Sequence, residues 1–118
     1  MRRDPRILLA DIEQAATDIA SYLQAMTLED YVRDGRTQAA VERKFEVIGE
    51  ALNRLHRYHP ELAGQIPQLR RIVDFRNLLS HGYDRVLPER VWNYAAQNLP
   101  ALRRTVRTLL DEPEPSED

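Results

Sequence analysis

Apolar residues recur at spacings of three and four along most of this 118-residue chain, and this helical periodicity constrains the fold more than any other feature. Strand signals are scarce, because no stretch alternates with a period of two and no Asn-Gly or Asp-Gly turn is flanked by strand-like runs. The three longest apolar stripes are Leu8, Ile12, Ala15, Ile19, Tyr22 and Met26; Val41, Phe45, Ile48, Leu52 and Leu55; and Trp92, Ala95, Leu99, Leu102, Val106 and Leu109. The sequence therefore predicts an all-α fold.

Capping residues and prolines mark the ends of the predicted helices. They indicate four main helices and one short second helix, which start at Pro5, Thr27, Thr37, Pro67 and Pro88. Residues 60–66 are predicted to form a connector and Gly82 a left-handed cap. Pro100 should kink the last helix, because proline lacks the backbone N–H that a helix interior needs. We expect an antiparallel helical bundle, and its narrow apolar stripes would also suit a dimer interface.

Composition and length exclude several classes of protein. The absence of cysteine excludes a disulfide scaffold, a thiolate zinc site and a cysteine nucleophile. No apolar run approaches the roughly 18–20 residues of a bilayer-spanning helix, so we expect a cytoplasmic protein with no membrane partner. Residues 111–118 contain five acidic side chains and no basic one, which predicts a disordered acidic tail after a single domain at residues 1–110.

The fourth predicted helix departs from its apolar pattern at Arg76. The apolar members of its inward stripe are Leu69, Ile72, Val73 and Leu79. Arg76 occupies the same stripe, and because an unpaired buried charge is costly, it requires an anionic partner or a water-filled cleft. The simpler interpretation is an ion pair with an acid of the third helix, Glu46 or Glu50.

Polar residues follow Arg76 directly. Asn77 is adjacent, Ser80 lies one turn further along the same face, and His81 comes where the helix should end. An arginine that balances phosphate charge and a histidine that transfers protons are the minimal groups for RNA cleavage without a metal ion.

The segment Arg76-Asn77-Leu78-Leu79-Ser80-His81-Gly82-Tyr83 resembles the R-x4-H-x-Y signature of HEPN-domain toxins of the HepT type. The similarity extends upstream through residues 40–51, through residues 66–67 and 73–77, and past the motif to residue 86. Gln68 departs from the family pattern, in which a tryptophan often follows the proline, and the acidic tail lies outside the resemblance.

The resemblance implies a homodimer in which two motifs form one composite ribonuclease site. Arg76 would stabilise the pentacovalent phosphate and His81 would move protons, with Asn77 in support; we add Ser80 as a second supporting residue because of its spacing. No metal ion and no cofactor is implied. The cognate antitoxin of this family, a minimal nucleotidyltransferase, would transfer AMP to Tyr83, which makes the protein the toxin of a toxin–antitoxin pair.

Arginines concentrate around the motif, and their positive charge suits an RNA substrate. We expect Arg70, Arg71 and Arg85 to bind RNA, the alternative being an ordinary solvated surface. Two other interpretations of the whole chain are a non-catalytic module that binds RNA or a nucleotidyltransferase, and a purely structural bundle. A glycine in a helix interior, such as Gly49, lowers helix stability by about 1 kcal/mol relative to alanine. Its presence predicts that another element packs closely against the helix at this point, within the chain or at a dimer interface.

Overall fold

Helices make up most of the backbone that the computed structural model describes, which is residues 4–81, without the side chain of His81, and residues 86–112. The helices are α1 (Pro5–Leu23), α2 (Leu28–Val32), α3 (Gly35–Tyr58), α4 (Pro60–Ala63), α5 (Leu69–His81) and α6 (Pro88–Asp111). No strand occurs within the described ranges, and the all-α prediction is confirmed. None of the helices in these ranges has both the length and the apolar character needed to cross a membrane.

Side-chain caps fix the connections between α1, α2 and α3. Helix α2 begins with a reciprocal capping box, in which the Thr27 hydroxyl accepts the Asp30 backbone N–H and the Asp30 carboxylate accepts that of Thr27. Helix α3 begins at Gly35, ahead of the predicted start at Thr37. The reason is that Asp34 is the N-cap: its carboxylate accepts the Thr37 backbone N–H at 3.0 Å and the Thr37 hydroxyl at 2.8 Å.

The chain between α3 and α5 also differs from the prediction. The predicted connector contains the one-turn helix α4, whose first residue is Pro60, because the fixed φ of proline suits a helix start. Helix α5 begins at Leu69 instead of Pro67, since residues 67 and 68 form a turn. Gly82, the predicted cap after α5, lies outside the described residues.

Helix α1 holds the end of α6. The Arg6 guanidinium donates to the carbonyls of Leu110 at 2.6 Å and Glu112 at 3.2 Å, groups that a helix end leaves without a partner of its own. Helix α6 continues through Pro100 and ends at Asp111, one residue into the segment predicted to be disordered. Residues 113–118 of that segment lie outside the described part of the chain.

One apolar core joins the long helices. Helix α1 packs against α3 and α6, and α3 packs against α5. The predicted stripes of α3 and α6 are buried apart from Trp92, which is partly exposed and contacts the ring of Tyr31, with centroids 5.5 Å apart. On α1, Tyr22 is the exception among the predicted core residues, because 39% of its surface is exposed.

Three aromatic rings connect α3, α5 and α6. Phe75 of α5 stacks on Tyr94 of α6, with centroids 4.0 Å apart and planes within 5° of parallel. Phe45 of α3 meets both rings edge-on, at 5.2 and 5.8 Å. Offset and edge-to-face arrangements of this kind contribute beyond their buried area, so the cluster fixes α5 at the residue before Arg76.

Burial of the Tyr94 hydroxyl raises its pKa to about 12. An unfolded chain releases the tyrosine proton near pH 10, so above that pH the unfolded state holds fewer protons than the folded state and stability falls as pH rises towards 12. Tyr31 contributes to the same loss of stability at alkaline pH, because burial also raises the pKa of its hydroxyl. We expect Tyr94→Phe to flatten the fall in the free energy of unfolding between pH 9 and 12, measured by urea titration.

Tyr22→Phe is the matched control for this prediction, because the ring of Tyr22 is exposed. A Tyr94→Phe variant that loses stability with alkaline pH as steeply as the wild type would contradict the prediction.

Candidate active site

Arg76 lies on the face of α5 that points towards α3. The neighbouring residues Ile72, Val73 and Phe75 are buried, and this sets the rotation of the helix. The Arg76 side chain itself is 24% exposed, so its stem lies within the packed interface while its head reaches an open surface.

Gly49 of α3 is what makes room for Arg76. A Cβ atom at this position would lie 2.5 Å from Cγ and 2.6 Å from Cβ of Arg76, distances that no packed side chain adopts. The close packing that the sequence predicted at Gly49 therefore occurs within the chain, between α3 and the stem of Arg76.

The guanidinium of Arg76 has two polar neighbours. Its Nη2 lies 3.5 Å from Oε2 of Glu50, and its Nη1 donates to Oδ1 of Asn77 at 3.2 Å. Of the two acids that the sequence offered, Glu50 is therefore the partner; Glu46 pairs with Arg43 at 3.4 Å instead.

The pairing with Glu50 leaves Arg76 able to bind another anion. The Glu50 side chain is 49% exposed and shared, because its Oε1 accepts from Nε of Arg54 at 3.1 Å. Nε of Arg76 is enclosed and has no hydrogen-bond acceptor among the described residues. Because the Arg76–Glu50 contact is long and Glu50 is half-exposed and shared, a phosphate group can replace Glu50 at small cost.

The head of Arg76 opens into a cleft of about 410 Å³ between α3, α5 and the start of α1. The polar residues that line it are Arg43, Glu46, Glu50, Arg54, Arg76 and Ser80. Ser80 thus shares the cleft with Arg76, on the face that their spacing predicted.

The remaining predicted site residues are placed as follows. His81 is the last residue of α5, which puts its backbone one residue beyond Ser80. Tyr83 and Arg85 lie outside the described residues. Arg70 is exposed, and Arg71 donates to Oδ1 of Asn98 at 3.2 Å; neither lines the Arg76 cleft.

The sequence analysis did not assign Arg43 and Arg54 to the site, although both line it. The sequence does contain a signal for them. Residues 43, 47, 50 and 54 follow one face of α3 at spacings of four, three and four, and this face includes Glu50, the partner of Arg76. No three His, Cys, Asp or Glu side chains in the described ranges are grouped closely enough to hold a metal ion.

We expect Gly49→Ala to lower the free energy of unfolding by about 1–3 kcal/mol, the usual cost of forcing a methyl group into a packed interface. The cost arises because the added atom would meet the rigid stem of Arg76, so α3 and α5 must separate. Urea titration monitored by circular dichroism measures this loss.

Gly35→Ala is the matched control, because no atom beyond its own helix backbone and chain neighbours lies within 4 Å of the position that its Cβ would occupy. It should leave stability unchanged or raise it by up to about 1 kcal/mol, in line with the better helix propensity of alanine. A Gly49→Ala variant as stable as the Gly35→Ala variant would show that the two helices are not in close contact.

Comparison with known proteins places this arrangement in a family. A family model described as "Ribonuclease HepT-like" matches residues 12–109. A protein of Thermococcus cleftensis named "Probable ribonuclease HepT" is 32% identical over 107 residues, which cover 87% of this chain and 93% of that protein. A candidate RNase of Methanocaldococcus jannaschii is 31% identical over 99 residues, covering 84% and 81% of the two chains. No solved structure matches. The chain belongs to the HepT-like ribonuclease family, of the HEPN type.

Proposed function

We propose that this protein is an endoribonuclease that cleaves RNA without a metal ion, with Arg76 and His81 as its catalytic residues. The observation that carries the proposal is the position of Arg76: its stem is clamped against Gly49, and its guanidinium faces a polar cleft. Membership of the family supports it independently, since the names of the relatives refer to RNase activity.

The proposed reaction uses the 2′-hydroxyl of RNA as the nucleophile. His81 takes the proton from this hydroxyl while the O2′–P bond forms, and negative charge builds up on the pentacovalent phosphate. The Arg76 guanidinium stabilises that charge, which is the point where a fixed donor contributes most. The P–O5′ bond then breaks, and the leaving 5′ oxygen takes a proton from an imidazolium, to give a 2′,3′-cyclic phosphate and a 5′-hydroxyl.

Asn77 and Ser80 act as positioning residues in this proposal. The hydrogen bond from Arg76 to Asn77 restrains the plane of the guanidinium, and Ser80 supplies a hydroxyl in the same cleft. A hydrogen-bonded guanidinium loses less freedom when it binds phosphate, which favours the transition state.

The proposal extends to a homodimer, in which two antiparallel helical bundles bring two copies of Arg76 and His81 to one shared cleft. One imidazole can then accept the proton of the nucleophile while the other donates to the leaving oxygen. The exposure of the cleft in a single chain agrees with a site that needs a second copy to enclose its substrate.

We also propose that the protein is the toxin of a toxin–antitoxin pair, neutralised by AMP transfer to Tyr83. The phenol oxygen would attack the α-phosphate of ATP, with release of pyrophosphate. The attached AMP would add bulk and negative charge to the motif, which would repel the RNA backbone.

We expect the purified protein to cleave RNA in the presence of EDTA. Arg76→Ala should slow cleavage by about 10²–10³-fold, the typical effect of losing one transition-state donor. His81→Ala should lower the rate at least as much, because it removes the group that transfers protons. Single-turnover gel assays measure both, and circular dichroism checks that each variant is folded.

Arg33→Ala is the matched control for Arg76→Ala, because the Arg33 side chain, directly after α2, is 78% exposed. Retained cleavage in His81→Ala would overturn the mechanism. A wild-type protein that binds RNA and never cleaves it would favour the non-catalytic binding module instead.

Co-expression with a cognate nucleotidyltransferase antitoxin is expected to raise the intact mass in steps of one AMP and to abolish toxicity. Tyr83→Phe should prevent both changes, because it removes the oxygen that accepts the nucleotide. A mass increase that persists in Tyr83→Phe would place the modification elsewhere.

A further inference from the structure

The exposed face of α3 contains a line of arginines that neither the motif nor the basic cluster around it includes. Arg43, Arg54 and Arg57 are separated by eleven and three residues, which places them on one side of a helix with 3.6 residues per turn. All three are exposed. From Arg43 to Arg57 the helix rises about 21 Å, a length that spans several phosphates of a nucleic acid strand.

This side of α3 is concave. The 410 Å³ cleft at Arg76 continues into a second cleft of about 630 Å³, because Leu8, Glu50 and Arg54 line both. The second cleft extends to Arg57 and Tyr58 at the end of the helix. We call the continuous depression the α3 trough and define it by Arg43, Glu50, Arg54, Arg57 and Arg76.

The charges of the α3 trough favour an anionic chain. Four guanidinium groups line it against two carboxylates, those of Glu46 and Glu50. Each carboxylate contacts an arginine of α3 at 3.4 or 3.1 Å, and the Arg43 and Arg54 side chains are 72% and 46% exposed. Ion pairs this exposed contribute little and are screened by salt, so phosphates can replace the carboxylates.

We propose that the α3 trough holds the sugar–phosphate backbone of the RNA on both sides of the cleaved bond, with Arg43 as the phosphate contact on one side of Arg76 and Arg54 and Arg57 as the contacts on the other. This inference rests on the proposed function for its substrate. A strand whose scissile phosphate lies at Arg76 must enter and leave the cleft, and the trough runs from that residue in both directions along α3. Tyr58 stands at the far end with 36% of its surface exposed, and the Arg57 guanidinium lies over its ring, 5.9 Å from the centroid.

The trough is a better candidate for this role than the arginines that the sequence analysis selected on α5. Arg71 is hydrogen-bonded to Asn98 and lines a different cleft, between α5 and α6. Arg70 is exposed on the same helix and does not line either part of the α3 trough.

The test measures binding separately from cleavage. The probe is a fluorescent single-stranded RNA with 2′-O-methyl groups throughout, which cannot undergo attack by its own 2′ oxygen. Its affinity is measured by anisotropy over a series of salt concentrations for the wild type and for Arg43→Gln/Arg54→Gln/Arg57→Gln. We expect at least tenfold weaker binding at low salt and a slope of log affinity against log salt that is smaller by about two, since each single-strand phosphate contact contributes about 0.7.

The matched control is Arg33→Gln/Arg90→Gln/Arg104→Gln, which removes the same charge from exposed positions outside the trough. It should retain most of the affinity. A double variant, Arg43→Gln/Arg57→Gln, leaves the Arg54–Glu50 pair intact and should lose affinity by an intermediate factor. Unfolding midpoints confirm that each variant is folded.

Three results would overturn the inference. The first is an equal loss of affinity in the trough variant and the control, and the second is a larger loss of affinity in Arg70→Gln/Arg71→Gln than in the trough variant. The third is a trough variant that binds RNA normally but changes its oligomeric mass. The last result would assign the trough to contact with a second copy of the chain. Failure of the proposed function is a separate outcome, because it would appear as a wild type that binds the probe and leaves ordinary RNA of the same sequence uncut.

Discussion

The approach of α3 to α5 at Gly49 fixes the position of Arg76, the residue to which the proposed function assigns the stabilisation of the reacting phosphate. Residue 49 has no side chain, so the stem of Arg76 lies directly against the α3 backbone, and the next residue, Glu50, reaches the guanidinium at the other end of the same side chain. On α5, Phe75 holds the helix in register through its stack on Tyr94. Packing therefore places the stem of Arg76, while polar contacts at the surface only orient its head.

The burial of its stem and the exposure of its head explain why the charged side chain of Arg76 is tolerated at an inward position. The methylene groups of Arg76 replace the apolar residue that the stripe would otherwise contain, and the charge is not fully desolvated. The guanidinium lacks part of its hydrogen bonding, because its enclosed Nε has no acceptor among the described residues. Its carboxylate partner, Glu50, is half-exposed and is shared with Arg54. A phosphate in the cleft can take the place of Glu50 at Nη2 of Arg76, which is the physical basis for the RNA chemistry proposed for the cleft.

Much of the helix pattern could be predicted from the sequence because it depends on local rules. The stripes of α3 and α6 gave the correct buried faces, and Pro5 and Pro88 gave correct helix starts. The start of α3 was wrong because Asp34 and Thr37 are both good capping residues, and only the folded backbone decides between them.

Contacts between helices were harder to predict. The sequence offered Glu46 and Glu50 as partners of Arg76 but could not choose, since the choice depends on how α3 and α5 are aligned along their axes. Arg43 and Arg54 were missed because arginine and glutamate three or four residues apart are typical of a solvated helix face. Only the concave shape of the α3 trough separates these arginines from ordinary surface residues.

Chemical rescue tests the central role of Arg76 most directly. Single-turnover cleavage of RNA by Arg76→Ala would be measured in EDTA with and without millimolar guanidinium, beside His81→Ala as the reference. If the guanidinium group stabilises the reacting phosphate, added guanidinium should restore a measurable part of the rate to Arg76→Ala and none to His81→Ala. An Arg76→Ala variant that cleaves RNA as fast as the wild type would contradict this role.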